Sequence, residues 1–232
     1  MRLAALTSLL LLTSAAAPDV ERRYMVTSFE RVRVNGPFEI EIITGTNSAS
    51  AKGMADAIER LSLRVSGNTL VINSGTPAWG RRAQDAPEAL RIRIAAPVLK
   101  GLSASGGAQI RVAEMRAARV DLALEGSSAI DVAGIRADEL HAAHNGTGTL
   151  KLAGSAVTAR VRGTLAGTVD ASAFMANDAI LLWESRAPLT IGVRYTAQIT
   201  ASGLGPVTIL GKPFCSIRGA APVTCAGTIQ RR

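Results

Sequence analysis

The chain has 232 residues, carries a formal net charge of +8 at pH 7, and is 47% hydrophobic although aromatic residues make up only 3%. This length is enough for one large domain or one solenoid, and the 22 glycines combined with so few aromatic residues favour stacked strands of small side chains. The sequence contains no P-loop and no dinucleotide-binding glycine motif, which argues against those nucleotide-binding classes.

The N-terminus has the pattern of a secretory signal peptide. Arg2 supplies a positive charge, residues 3–12 form an apolar run, and small residues follow as far as Ala17. The apolar run is too short to stay in a bilayer as a spanning helix. We therefore expect residues 1–17 to be a signal peptide, no transmembrane segment after its removal, and a protein exported to the periplasm or cell surface. The alternative is a buried N-terminal helix.

Residues 26–96 contain short runs of alternating apolar and polar side chains bounded by turn residues, a pattern that predicts paired strands. The expected strands are 29–34, 38–44, 61–65, 70–74 and 90–94. Residues 54–60 predict a brief helical turn, and residues 76–89, which break the pattern with proline and arginine, predict a surface loop.

A repeat organises the rest of the chain, because residues 99–118 and 119–138 are near copies of each other. Each copy has a glycine turn followed by an apolar-polar-apolar triplet, and such triplets begin at Ile110, Ile130, Leu150, Val169, Leu189 and Val207. The steps between them are 20, 20, 19, 20 and 18 residues. One such unit cannot bury its own apolar side and must stack on a copy, so the repeat predicts an all-β solenoid.

The register of this solenoid predicts two columns of side chains. The outward column reads Arg111, Asp131, Lys151, Asp170, Thr190 and Thr208. The inward column reads Ala104, Leu124, His144, Gly163, Trp183 and Ala201. Charges alternate in sign along the first column, which favours the stacking of adjacent strands. In the second, Gly163 leaves room for its two large neighbours, as a close-packed core requires.

Three passages resemble the putative auto-transporter adhesin head GIN domain family: FERVRVNGPFEIEI at 29–42, VSGNTLVI at 65–72 and RIAAPVLKGLSASG at 93–106. The resemblance covers roughly residues 29–211. It implies a secreted, single-stranded right-handed parallel β-helix of the bacterial envelope, with no catalytic residues to carry over and no cofactor. The implied organisation is a signal peptide at 1–17, a β-helix domain at 26–211 and a C-terminal cap at 212–232.

Cys215 and Cys225 are the only cysteines, with nine residues between them. An even number of cysteines in an exported chain predicts a disulfide. We expect it to fix the end of the solenoid, where the last strand would otherwise present an open edge. A redox or metal role would require a Cys-x-x-Cys pair or additional histidines.

Two groups of side chains are candidates for sites of chemistry. His141 and His144 are the only histidines, and on a strand they point to opposite faces, so they cannot share a metal. His141 is expected outside beside Asp121, and His144 inside as a hydrogen-bonded core residue. Asp131 and Asp170 lie two turns apart on one face, as in an inverting glycosidase, but Lys151 stands between them and favours a salt-bridge ladder.

Positive charge accumulates towards the C-terminus, because no acidic residue follows Glu184. The candidates for binding an anionic polymer are Arg186, Arg194, Lys212 and Arg218. No aromatic residues are interleaved with them, so nucleic acid is not the expected partner. The function predicted from the sequence is a non-enzymatic protein of the bacterial cell envelope with a structural or adhesion-like binding role, and the expected partner is a glycan or a protein. A β-helix carbohydrate-active enzyme and a binder of anionic polysaccharide through the C-terminal end are the alternatives.

Overall fold

The computed structural model describes residues 19–75 and 90–231. The predicted signal peptide and the predicted loop at 76–89 lie outside the described residues. The first part of the chain contains β1 Val20–Tyr24, β2 Arg31–Asn35, β3 Glu39–Thr44, β4 Ser48–Gly53, α1 Ala55–Arg60, β5 Leu61–Ser66, β6 Thr69–Ser74 and β7 Arg91–Ala96. The repeats contain β8 Gly101–Ser105, β9 Gln109–Val112, β10 Met115–Gly126, β11 Ala129–Gly146, β12 Thr149–Leu165, β13 Thr168–Trp183 and β14 Leu189–Ala201. The last part contains β15 Val207–Leu210, β16 Phe214–Arg218, β17 Val223–Cys225 and β18 Thr228–Arg231.

The parallel ladder confirms the predicted β-solenoid. Ile110 pairs with Ile130, Ile130 with Leu150, Leu150 with Val169, Val169 with Leu189 and Leu189 with Val207, which reproduces every predicted step. Because side chains alternate along each strand, both residues of every pair named above point into the core, and the residues that follow them point outward. Both predicted columns are therefore correct in register.

Each turn contributes strands to two long faces of the solenoid. Face A is the sheet that contains β5, β6, β2 and β8, the last parts of β10–β14, and then β16 and β18. Face B is the sheet that contains β1, β4, β7, β3 and β9, the first parts of β11–β14, and then β15 and β17. The apolar residues that alternate along both faces form one continuous core between them.

The first turns are not stacked in chain order. Strand β2 lies between β6 and β8, and β3 lies between β7 and β9. The chain thus forms the second turn of the stack first, with β2 and β3. It then returns through β4, α1 and β5 and forms the end turn with β6 and β7. The third turn, with β8 and β9, follows on the other side of β2 and β3. Strands β1, β4 and β5 pair antiparallel and form the N-terminal edges of the two faces.

All five strands predicted for this region are present with ends shifted by at most two residues, and the predicted helical turn is α1. Strands β1 and β4 were missed. Their sequences, VERRY and SASAKG, lack a regular apolar column, since every residue of β1 except Tyr24 is exposed and β4 buries only Ala49 and Ala51. Strand β1 also begins the fold ahead of residue 26, the predicted start of the domain.

The core around Gly163 is packed as predicted. The indole of Trp183 occupies the place where a β-carbon on Gly163 would lie, and the indole N–H donates a hydrogen bond of 3.0 Å to the carbonyl oxygen of Ala187. The ring of His144 is 2% exposed and lies over the backbone of Gly167. The expected hydrogen bonds of His144 need correction: within the described residues, neither ring nitrogen has a partner at good hydrogen-bonding geometry, and the nearby backbone of Gly167 acts on the ring only weakly, by raising its pKa in part.

The 19-residue step does not disturb this layer. The register shifts between Val132 and Ile135, at the corner that follows face B, where Gly154 in the next turn adopts a left-handed φ of 117°. A β-carbon on Gly154 would collide with the backbone of Ile135. The missing residue is thus absorbed at the corner, and face A keeps its register from His144 to Gly163.

The C-terminal end continues the ladder. Strands β16, β17 and β18 pair in parallel with β14, β15 and β16, so the predicted cap at 212–232 has the same strand geometry as the repeats. The predicted disulfide is present, and it joins Cys215 of face A to Cys225 of face B. Cys215 is fully buried, so the disulfide crosses the interior and closes the last turn of the core.

Candidate binding face

Two outward columns run side by side along the centre of face A. From the N-terminal end, the first contains Thr69, Arg31, Gly101, Asp121, His141, Arg160, Ile180, Gln198, Ser216 and Gln230. The second contains Arg64, Val71, Arg33, Ser103, Ala123, Ala143, Arg162, Leu182, Thr200 and Arg218. These two columns supply six arginines and one carboxylate.

The same columns line two open grooves. The first groove has a volume of about 480 Å³ and extends from Thr69 to Leu182. The second, of about 410 Å³, contains Gln198, Thr200 and Arg218. Leu182 and Thr200 are neighbours on adjacent strands, so the two grooves follow one another along the solenoid. The floor of the first groove is low between Arg33 and Arg162 because Ser103, Ala123 and Ala143 have small side chains.

The arginines of the first column are engaged. Arg31 extends across Gly101 to Asp121, with 2.9 Å between its Nη2 and the carboxylate, and a side chain at position 101 would collide with it. Arg119 contacts the other oxygen of Asp121 at 2.8 Å. Burial opposes ionisation of Asp121, but hydrogen bonds and charge from Arg119 and Arg31 outweigh it and lower the pKa of this carboxyl.

His141 lies outside and in register with Asp121, as predicted, but its contacts are different. Its ring nitrogens lie 3.2 Å from Arg119 and 3.0 Å from Arg160. Its acidic neighbour is Glu139, at 3.4 Å. His141 therefore belongs to a surface network of arginines and carboxylates rather than to a pair with Asp121.

The arginines of the second column are free. Within the described residues, Arg33, Arg162 and Arg218 form no side-chain hydrogen bond and no ion pair, and all three are exposed. Arg64, at the start of the column, is also exposed and forms no ion pair or side-chain hydrogen bond with the described residues. Face A therefore presents unpaired guanidinium groups along one line.

Face B has a larger groove, of about 990 Å³, but its charges are balanced. Its central column alternates in sign over six strands: Arg93, Glu41, Arg111, Asp131, Lys151 and Asp170. Close ion pairs join Arg93 to Glu41, at 3.4 Å, and Arg91 to Glu39, at 3.3 Å. The stacking of opposite charges itself stabilises the ladder and offers no single sign of charge to a ligand.

The predicted salt-bridge ladder through Lys151 needs correction. Asp131, Lys151 and Asp170 are neighbours in register, but no ion pair joins them among the described residues. The carboxylate of Asp170 instead accepts hydrogen bonds from the Oγ and the N–H of Ser172, at 2.7 and 3.1 Å. These bonds, with a contribution from the charge of Lys151, lower the pKa of Asp170. A glycosidase acid requires the opposite shift.

The four basic residues selected from the sequence do not share one surface. Arg194 and Lys212 lie in the corners that precede the face A strands at Thr196 and Phe214, whereas Arg218 ends β16 and Arg186 follows β13. Arg218 lines the second groove. The guanidinium of Arg194 lies 5.9 Å from the centre of the Tyr195 ring.

Within residues 19–75 and 90–231, no group of three or more His, Cys, Asp or Glu side chains could hold a metal ion. In the same part of the chain, no helix has the length and apolar character needed to cross a membrane.

The sequence profile of the putative auto-transporter adhesin head GIN domain matches residues 28–213. The chain belongs to this family. Several bacterial proteins of known crystal structure share its fold. A putative adhesin from Bacteroides fragilis superposes with a TM-score of 0.73 at 17% identity, covering 94% of this chain and 98% of the other. A putative adhesin from Parabacteroides distasonis gives 0.66 at 12% identity, covering 93% and 98%. A putative lipid binding protein from the same species gives 0.54 at 16% identity, covering 92% and 96%. No curated protein matches the sequence significantly.

The arginine column of face A was not predicted from the sequence. The spacing of the repeats would have aligned Arg162 and Arg218 with Ala143, because all three occupy the same position in different turns. Arg33 could not, because its place beside Ser103 depends on the insertion of β2 between β6 and β8.

Proposed function

We propose that this protein is an exported, non-enzymatic binding module of the bacterial cell envelope, whose partner is an envelope glycan or protein. The observation that carries the proposal is the open face A, where two grooves follow one another over the length of the solenoid. A flat, extended surface of this kind suits an extended partner, whereas a small molecule is usually held in a concave pocket that surrounds it.

Two further findings support the proposal. The family is described as a putative adhesin head domain and the crystallised neighbour from Bacteroides fragilis as a putative adhesin, descriptions that favour a binding role. The disulfide of Cys215 and Cys225 suits an oxidising compartment, as export predicts. The enzymatic alternative is weaker, because Lys151 stands in register between its two candidate carboxylates, Asp131 and Asp170, where the sugar would have to bind. The lowered pKa of Asp170 also does not suit the role of general acid.

The experiment has two parts. Fractionation of the producing cells is expected to place the protein outside the cytoplasm, with residues 1–17 absent by mass spectrometry. Purified protein is then mixed with isolated cell envelopes and sedimented, and it is expected to sediment with them in a saturable manner. A cytoplasmic protein, or one that stays in the supernatant at every envelope concentration, would refute the proposal.

A further inference from the structure

We propose that face A binds a linear acidic polysaccharide, which lies along the solenoid axis with its carboxylates on Arg33, Arg162 and Arg218. This inference rests on the proposed binding function and adds the chemical class and orientation of the partner. It places the polymer on the middle of face A, whereas the C-terminal basic residues would hold it at one end.

The geometry of the column sets the orientation. Arg33 and Arg162 are four strands apart and Arg162 and Arg218 are three strands apart, all in one register. At about 4.8 Å per strand these separations are about 19 and 14 Å. Arg64 continues the same line two strands beyond Arg33. A polymer must therefore run across the strands, parallel to the solenoid axis, to reach more than one of them.

The arginines are available for a ligand. Asp121 is the only carboxylate in the two central columns, and Arg31 and Arg119 already neutralise it. Arg33, Arg162 and Arg218 have no partner among the described residues, so a carboxylate would not have to displace an internal one. A planar guanidinium binds a carboxylate through two parallel hydrogen bonds, a geometry that favours this ligand group.

The floor between the arginines lets a chain approach closely. Ser103, Ala123 and Ala143 are three successive small residues between Arg33 and Arg162. Beyond Arg162, the exposed Ile180 and the half-buried Leu182 form a small apolar patch on the surface of the groove. Thr200, Ser216 and Gln230 then offer hydroxyl and amide groups in the second groove. Alternating small, apolar and hydroxyl-bonding surfaces match the faces and edges of sugar rings.

Nucleic acid fits this face less well. Single strands bind by stacking bases on aromatic side chains, but the lining of both grooves includes one aromatic residue, Phe214, at the edge of the second. A polymer that carries carboxylate and hydroxyl groups, and no bases that need a stacking partner, is the better match.

The test uses polygalacturonate as the probe and its methyl ester as the uncharged control with the same backbone. Calorimetry at low salt is expected to show binding of the acid form only, weakening as salt is added because the contacts are exposed charges. Arg33→Gln, Arg162→Gln and Arg218→Gln combined should weaken binding by about tenfold or more. A single-stranded DNA oligonucleotide is expected to bind more weakly than polygalacturonate.

A second triple variant controls for net charge. Arg23→Gln, Arg116→Gln and Arg136→Gln remove the same three positive charges from exposed sites away from the grooves and should leave binding within about twofold. Circular dichroism and urea unfolding verify that both variants fold. Equal losses in the two variants, equal binding of the methyl ester, or tighter binding of DNA would overturn the inference. If the protein sediments with cell envelopes but does not bind polygalacturonate, the inference fails while the proposed function stands. If the protein does not sediment with envelopes, the proposed function itself fails.

Discussion

At Gly163 the core has room for backbone alone, because the indole of Trp183 fills the space of a β-carbon and is held by its hydrogen bond to Ala187. Gly163→Leu is therefore expected to lower the free energy of unfolding by about 1–3 kcal/mol, the usual cost of overpacking a core. Urea unfolding followed by tryptophan fluorescence measures the change.

Gly134 provides the matched control for this substitution. A β-carbon there would meet only the carbonyl oxygen of Ala113, at 3.4 Å, and the side chain of Glu114, at 3.9 Å. Gly134→Leu should thus change the free energy of unfolding by less than about 1 kcal/mol, which is typical of sites outside the core. If the Gly163→Leu variant unfolds at the same urea concentration as the wild type, the close packing of Trp183 against Gly163 is contradicted.

His144 is a second residue whose environment sets a measurable property. Burial lowers the pKa of its ring below the ordinary value, and the backbone of Gly167 opposes this shift only in part. The unfolded chain, with a histidine pKa of about 6.5, then binds more protons than the native state at mildly acidic pH. The stability that this histidine contributes is therefore complete above about pH 6.5 and is lost as the pH falls through the native pKa.

The expected result is a fall in the free energy of unfolding between about pH 7 and pH 5, worth ~1.4 kcal/mol for each unit of difference between the two pKa values. His144→Leu removes the titrating group and the two unpartnered ring nitrogens, so its stability should be flatter over the same pH range. The carboxyls of Asp121 and Asp170, whose pKa values are lowered, titrate below this range. A wild type and a His144→Leu variant with the same pH profile would contradict this account.

The disulfide acts at the scale of an element, since it links β16 of face A to β17 of face B across the end of the core. Its sequence separation is 10 residues, for which the chain-entropy relation gives a stabilisation of about 2.7 kcal/mol. Cys215→Ala with Cys225→Ala should lower stability by up to this amount and should increase backbone exchange chiefly in β16–β18. Unchanged exchange in these strands would mean that the disulfide does not hold the last turn.

The sequence predicted elements well where each strand stacks on a copy of itself. From Ile110 onward, a strand and its neighbour share the same pattern, so the pairing can be deduced from the steps alone. This logic fails for β4, whose buried residues Ala49 and Ala51 pair antiparallel with β7 and with β1. Antiparallel partners at the N-terminal edge have no repeat to reveal them, and alanine favours strands only weakly.

The candidate binding face exists only at the scale of the whole molecule. Arg33 and Arg162 belong to one line because β2 is inserted beside β8, although the intervening chain runs through five other strands and a helix before returning to β8. Such an arrangement follows from long-range pairing, which no local pattern encodes. Sequence patterns therefore indicate Arg218 as a candidate for binding but do not reveal the column to which it belongs.

The stacking also predicts how stability is distributed along the solenoid. The turns that contain β11, β12 and β13 have a parallel partner on both sides, whereas β18 and β5 are edges with a partner on one side. In a stack of repeats each turn is stabilised mainly by its neighbours, so the ends open before the middle.

Hydrogen exchange measured by mass spectrometry should show amides of β11–β13 protected at least about tenfold more than those of β18, equivalent to ~1.4 kcal/mol of opening free energy. Reduction of the disulfide should widen this difference at the C-terminal end and leave β5 unchanged, because the bond lies at the opposite end of the stack. Equal protection in every strand would show instead that the solenoid opens only as a single cooperative unit.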